Sequence, residues 1–99
     1  MAFEYGAFSA TLAAAAGDDP ALRAELRTAF RDSLEQQVDL LSRARCDGNW
    51  VVAAQRIKGL AASFHAEPLM QLAEEAVETV PGDPAVLRKL GAFVQDFDS

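Results

Sequence analysis

The sequence predicts an all-α fold, an up-down four-helix bundle with an additional short helix at its N-terminal side. Three observations predict it. Apolar residues recur at helical spacing through most of the chain. No stretch alternates apolar and polar residues over the length of a strand. An acidic residue precedes proline three times, at Asp19-Pro20, Glu67-Pro68 and Asp83-Pro84. Each of these pairs offers a side-chain cap followed by a residue whose missing N–H is harmless at the first helical position.

The first helix is expected over Phe3–Ala16. The second, the longest, runs from Pro20 to Cys46. Its Leu22, Leu26, Phe30, Leu34, Val38 and Leu41 form one apolar stripe. Asp47-Gly48 reads as a stop, because glycine accepts the left-handed conformation after a helix, and Asn49 reads as the next cap. The third helix then covers Trp50–His65, with Trp50, Ala54, Ile57, Ala61 and Phe64 facing inward. The fourth covers Pro68–Val80 on Leu69, Leu72, Ala76 and Val80. The fifth covers Pro84–Phe97 on Val86, Leu90, Phe93 and Phe97. Short connections predict that neighbouring helices run antiparallel. These stripes are core positions and carry no functional information.

The 99 residues form a single domain, 1–99, and half of them are hydrophobic, enough for one core. There is no apolar run long enough for a membrane span. The start lacks a basic segment followed by an apolar one, so no secretory signal is expected. A single cysteine, Cys46, excludes an internal disulfide and fits a reducing, cytoplasmic setting. Cys46 is expected to be a small buried residue near a helix end. One His and one Cys cannot make an ordinary zinc site, so no metal and no cofactor is expected.

The net charge of −6 argues against nucleic acid or an anionic membrane as partner. The charge is uneven. Arg23, Arg27, Arg31, Arg43, Arg45, Arg56 and Lys58 gather in the middle of the chain, whereas Glu67–Glu78 is acidic. A locally basic middle suits an acidic protein surface, and mixed-charge solvated helix faces explain it equally well.

Within the third helix, Val51, Val52, Lys58, Gly59 and Ala62 lie three, four or seven residues from Gln55 and share its side. That side is not the core stripe, so it is expected to face outward. A glycine inside a helix costs about 1 kcal/mol relative to alanine. Gly59 on an outward face suggests close approach of something to the backbone. A tight helix–helix contact within the chain, or a tolerated defect, would also explain it.

Residues 54–69 read Ala-Gln-Arg-Ile-Lys-Gly-Leu-Ala-Ala-Ser-Phe-His-Ala-Glu-Pro-Leu. This stretch resembles the signature of the histidine-phosphotransfer (HPt) domains of bacterial phosphorelays. That signature runs Ala-His-x-Leu-Lys-Gly-Ser-Ala-x-x-x-Gly-Ala, then a short gap, then Leu. The helix pattern resembles the family over residues 20–80. The resemblance implies an HPt-like bundle that binds a receiver domain of a response regulator, or a sensor histidine kinase, through the exposed face of the third helix. It implies that Lys58 lies near the phosphoryl group and that Gly59 leaves room for the partner. The implied partner face comprises Val51, Val52, Gln55 and Arg56, with Lys58, Gly59 and Ala62.

The chain departs from the family at the decisive position. Gln55 stands where the phosphoacceptor histidine belongs, Leu60 where a small residue is usual, and His65 where glycine is frequent. Transfer from an aspartyl phosphate needs a nucleophile in line with phosphorus. The lone pair of a carboxamide nitrogen is delocalised into its carbonyl, so Gln55 hydrogen-bonds but forms no useful phosphoramidate. No catalytic residue is therefore expected, and the chain reads as a phosphorylation-incompetent binding and regulatory module of a two-component system. In one helix His65 would lie about 15 Å along the axis from Gln55 and about 80° around it. There it reads as a last-turn residue that favours the helix dipole.

Two further readings stand beside this one. The chain is a functional phosphotransfer protein if Gln55 replaces a natural histidine or if His65 is used. Alternatively it is a helical dimerisation or scaffold domain that shares only the periodicity, and a homodimer is left open.

Overall fold

The computed structural model describes residues 6–97, and all of its regular structure is helical. Five helices follow in order: α1 (Gly6–Ala16), α2 (Pro20–Arg43), α3 (Asp47–Ser63), α4 (Glu67–Val77) and α5 (Pro84–Phe97). Residues 3–5 of the expected first helix lie outside the described residues.

The three proline junctions behave in two different ways. Asp19 caps α2 through its carboxylate, which accepts from the N–H groups of Ala21 at 3.0 Å and Leu22 at 3.2 Å. Asp83 does the same for α5, accepting from Val86 N–H at 3.0 Å. Glu67 does not cap. It is the first residue of α4, and the cap position falls to Ala66, which has no polar side chain. The carboxylate of Glu67 still sits in the first turn, where the helix dipole favours it.

The stop between α2 and α3 also differs from expectation. α2 ends at Arg43, and Ala44 leaves it in extended conformation with its side chain buried. That extended exit ends the helix, so no left-handed glycine is required. Gly48 lies inside the first turn of α3, not between helices, and Asn49 caps nothing. Trp50 N–H donates to Cys46 carbonyl at 3.0 Å and closes that turn. Cys46 is exposed rather than buried, because Ala44 is the residue of this connection that enters the core. α4 stops at Val77, short of Val80. Thr79 folds back so that its N–H and its hydroxyl both reach the Ala76 carbonyl, and Val80 is left 67% exposed.

Four helices contact one another in a ring. α3 touches α2 and α4, and α5 touches α4 and α2, while α1 lies on α2. The cross-contacts run in opposite register. Trp50 at the start of α3 donates its indole N–H to Ala76 carbonyl near the end of α4, at 2.7 Å. Arg27 early in α2 donates to the Phe97 carbonyl at the end of α5, at 2.8 Å, and stacks over its ring. Lys89 of α5 pairs with Glu75 of α4 at 3.0 Å.

The core follows the stripes. Phe30, Leu34, Leu41, Trp50, Ile57, Leu69, Val86 and Leu90 are fully buried. Burial of a side chain of this size contributes about 1.5–3 kcal/mol. At one end, Phe8 of α1 meets Phe30, Phe64 and Phe97 at centroid distances of 5.0, 5.9 and 5.4 Å. This aromatic cluster holds α1 against the helical core. Leu22 departs from its stripe and is exposed. With 24 residues α2 outruns the 11 of α4 and 14 of α5, so its first turn overhangs its neighbours.

Candidate functional site: the outward ridge of α3

The inward stripe of α3 fixes which residues look outward. With Trp50, Ala54, Ile57 and Ala61 buried, the opposite side of the cylinder carries Val52, Gln55, Gly59 and Ala62, all exposed. Val52 is 49% exposed. Arg56 is exposed beside this ridge and Lys58 is half-buried. Val51 departs from the expected face: it is half-buried and packs against the core.

The ridge stands between two open grooves of opposite character. Toward α4, the groove is lined by Gln55 and Lys58 together with Glu74, Val77 and Glu78. Lys58 Nζ lies 3.3 Å from a Glu74 carboxylate oxygen. Toward α2, Val52 and Arg56 line a groove with Leu40, Arg43 and Asn49. Leu40 is 42% exposed. Arg43 pairs with Asp39 of its own helix at 2.9 Å.

Gly59 needs no room inside the molecule. A Cβ built on it would meet no atom within 4 Å apart from its own helix and chain neighbours. A tight internal helix contact is therefore not the reason for this glycine. Ser63 hydroxyl donates to Gly59 carbonyl at 3.0 Å, a back-bond that satisfies the serine and leaves the ridge open.

His65 serves a different purpose from the ridge. It sits just past the C-terminus of α3 with φ 57°, the left-handed conformation that histidine tolerates better than most residues. Ala66 N–H donates to Ala61 carbonyl at 2.8 Å and His65 N–H to Ala62 carbonyl at 3.2 Å. This pair of bonds is a Schellman cap, in which glycine is the usual residue at the His65 position. Ala66 and Ala61, the positions that flank this cap, are both buried in the core. The ring reaches away from the ridge to α1, where Nδ1 lies 2.8 Å from Thr11 Oγ1. The Thr11 hydroxyl donates its single proton to Ala7 carbonyl at 2.9 Å, which leaves Nδ1–H of His65 as the donor to Thr11.

The row Arg23, Arg27 and Arg31 on α2 works within the chain. Arg23 reaches Gly17 carbonyl, Arg27 the end of α5, and Arg31 the carboxylates of Asp32 and Glu35. Sequence reasoning missed Glu74 and Glu78 as part of the site, noting Glu67–Glu78 only as an acidic stretch. Among the described residues no cluster of three or more His, Cys, Asp or Glu could hold a metal ion, and no helix is long and apolar enough to cross a membrane.

The chain matches no family model, no curated protein and no solved structure. The functional reading therefore rests on the ridge itself.

Proposed function

We propose that this protein is an HPt-like docking module of a two-component phosphorelay that engages a receiver domain or a sensor kinase without accepting phosphate. In this reading the ring of α2–α5 is an up-down four-helix bundle of the phosphotransfer kind, and α1 is its added N-terminal helix. The observation that carries the proposal is the ridge. Gln55 stands exposed midway along α3, with Lys58 within one turn and Gly59 open to solvent. An internal glycine with no packing duty, beside a half-buried lysine and an exposed amide, is what close approach of a partner backbone would use.

The amide of Gln55 offers a donor and an acceptor but no nucleophile. Partner binding would therefore be retained and covalent phosphate storage lost. The anchoring of His65 to Thr11 at the α3–α4 turn gives no support to its use as a substitute acceptor. Such a module would compete with a true phosphotransfer protein or hold a response regulator in reserve.

The test is incubation of the protein, and of Gln55→His, with a phosphorylated receiver domain, following complex formation and phosphate together. The expected result is binding without labelling for the natural chain and labelling for Gln55→His. If neither form binds or labels, the reading is wrong.

A further inference from the structure

We infer that the α3 ridge is a self-complementary surface on which a second copy of this chain docks, as a parallel two-fold dimer that covers Gln55. Charge on the two sides of the ridge selects this partner. The groove on the α2 side of the ridge carries Arg56 and no acidic residue in its lining, and its second cation, Arg43, is already held by Asp39. The groove on the α4 side carries Glu74 and Glu78 against the single cation Lys58. Among the described residues neither Arg56 nor Glu78 has an ion pair of its own, and both are exposed. The face is thus positive along one edge and negative along the other, with α3 between them.

A two-fold axis lying in this face and parallel to α3 exchanges the two edges. Arg56 of each copy then faces Glu78 of the other, twice over by symmetry. An axis in the face but perpendicular to α3 would set like charges against each other, so the charge pattern selects the parallel arrangement. Along the ridge, Val52, Gln55, Gly59 and Ala62 recur at spacings of three, four and three, the repeat of a parallel helical seam. Val52 supplies apolar contact, and Leu40 flanks it from the positive groove. Gly59 lets the two backbones approach, consistent with the open space around it. Gln55 meets Gln55 of the second copy, and a pair of amides satisfies itself, each N–H donating to the other's oxygen. One polar residue in such a seam fixes its register. With few exposed large apolar side chains, the dimer is of the weak, reversible class.

This inference does not use the phosphorelay reading. The dimer would cover the proposed receiver-docking face, so a chain that stays monomeric at every concentration yet binds receivers overturns the inference alone, and a chain that dimerises but binds no receiver even as a dilute monomer overturns the reading alone.

The experiment is sedimentation velocity of the full chain over a concentration series up to the millimolar range, on the natural sequence, Arg56→Glu, Glu78→Arg and an equimolar mixture of the two variants. The natural chain should shift from monomer to dimer with concentration, and less so at high salt, which screens exposed charge pairs. Each single reversal sets like charges together at both symmetric contacts and should weaken the dimer by about tenfold or more. The mixture should recover association. In the heterodimer the glutamate introduced in one variant faces the arginine introduced in the other, and the remaining Arg56 faces the remaining Glu78. A natural chain that stays monomeric throughout would overturn the proposal. So would a dimer indifferent to both reversals, or a mixture no better associated than its components.

Discussion

Lys58 and Glu74 are held 3.3 Å apart across the α3–α4 groove, so the ammonium nearest Gln55 is already engaged by its own chain. Both side chains are substantially exposed, at 39% and 53%, and such a pair contributes only about 0–1 kcal/mol. An incoming phosphoryl group could take Lys58 over, but Glu74 and Glu78 would oppose a dianion at this place. Introducing a nucleophile alone should therefore restore transfer incompletely. Gln55→His/Glu74→Gln is expected to accept phosphate from a phosphorylated receiver faster than Gln55→His, with little change in thermal stability. Equal initial rates of labelling in the two variants would remove Glu74 from this account.

Gly59 separates stability from docking. Its helical position and the empty space around it mean that Gly59→Ala should stabilise the fold by about 1 kcal/mol through helix propensity alone. Under the proposed function a bulky residue here, such as Gly59→Arg, should leave the helical signal intact and abolish partner binding. Urea titration measures the first effect and receiver pull-down the second. Destabilisation of Gly59→Ala would mean that the glycine serves the fold after all.

Much of the helical frame was legible because the period of burial is imposed by the helix itself. Phe30, Leu34 and Leu41, or Val86, Leu90, Phe93 and Phe97, can reach a common core from no other backbone. The ends were less legible, because several capping arrangements compete for one junction. Gly48 carries no mark to show that the extended Ala44 would end α2 first, and Glu67 none to show that Ala66 would take the cap position. Of the site, the outward placement of Gln55, Gly59 and Ala62 followed from the inward stripe of α3. The acidic edge did not, since it belongs to another helix. A signal existed: Lys58 and Glu74 lie equally far in sequence from Ala66, and residues equidistant from the turn meet in an antiparallel helix pair. The left-handed position of His65 was hidden because its residue type does not announce it as glycine would.

That position gives a direct test of backbone strain. A non-glycine residue in left-handed conformation costs about 1–2 kcal/mol. Histidine offsets part of this through the hydrogen bond to Thr11, worth about 0.5–1.5 kcal/mol. His65→Gly should therefore be at least as stable as the natural chain despite losing the ring. His65→Val, with a β-branched side chain at φ 57°, should be less stable than His65→Gly by about 1–2 kcal/mol. Chemical denaturation of the three proteins checks the order. A valine variant as stable as the glycine variant would show that α3 ends without the left-handed turn.

Trp50 anchors α3 to α4, its buried indole N–H donating to Ala76 carbonyl at 2.7 Å. That carbonyl is shared, because Thr79 approaches it with its hydroxyl at 2.9 Å and its N–H at 3.1 Å. Trp50→Phe keeps most of the apolar burial and leaves Ala76 with Thr79 as partner. It should cost about 1–2 kcal/mol, whereas Trp50→Ala, which opens a cavity, should cost about 3–5 kcal/mol. Thr79→Val alone should cost less than Trp50→Phe, since Trp50 still satisfies the carbonyl. Removing both side-chain donors leaves a buried acceptor with only the turn N–H. The Trp50→Phe/Thr79→Val double variant should therefore lose about 0.5 kcal/mol or more beyond the sum of the single losses. Urea denaturation of the natural chain, the two single variants and the double variant closes this cycle, and strict additivity would mean that the two donors act on α4 independently.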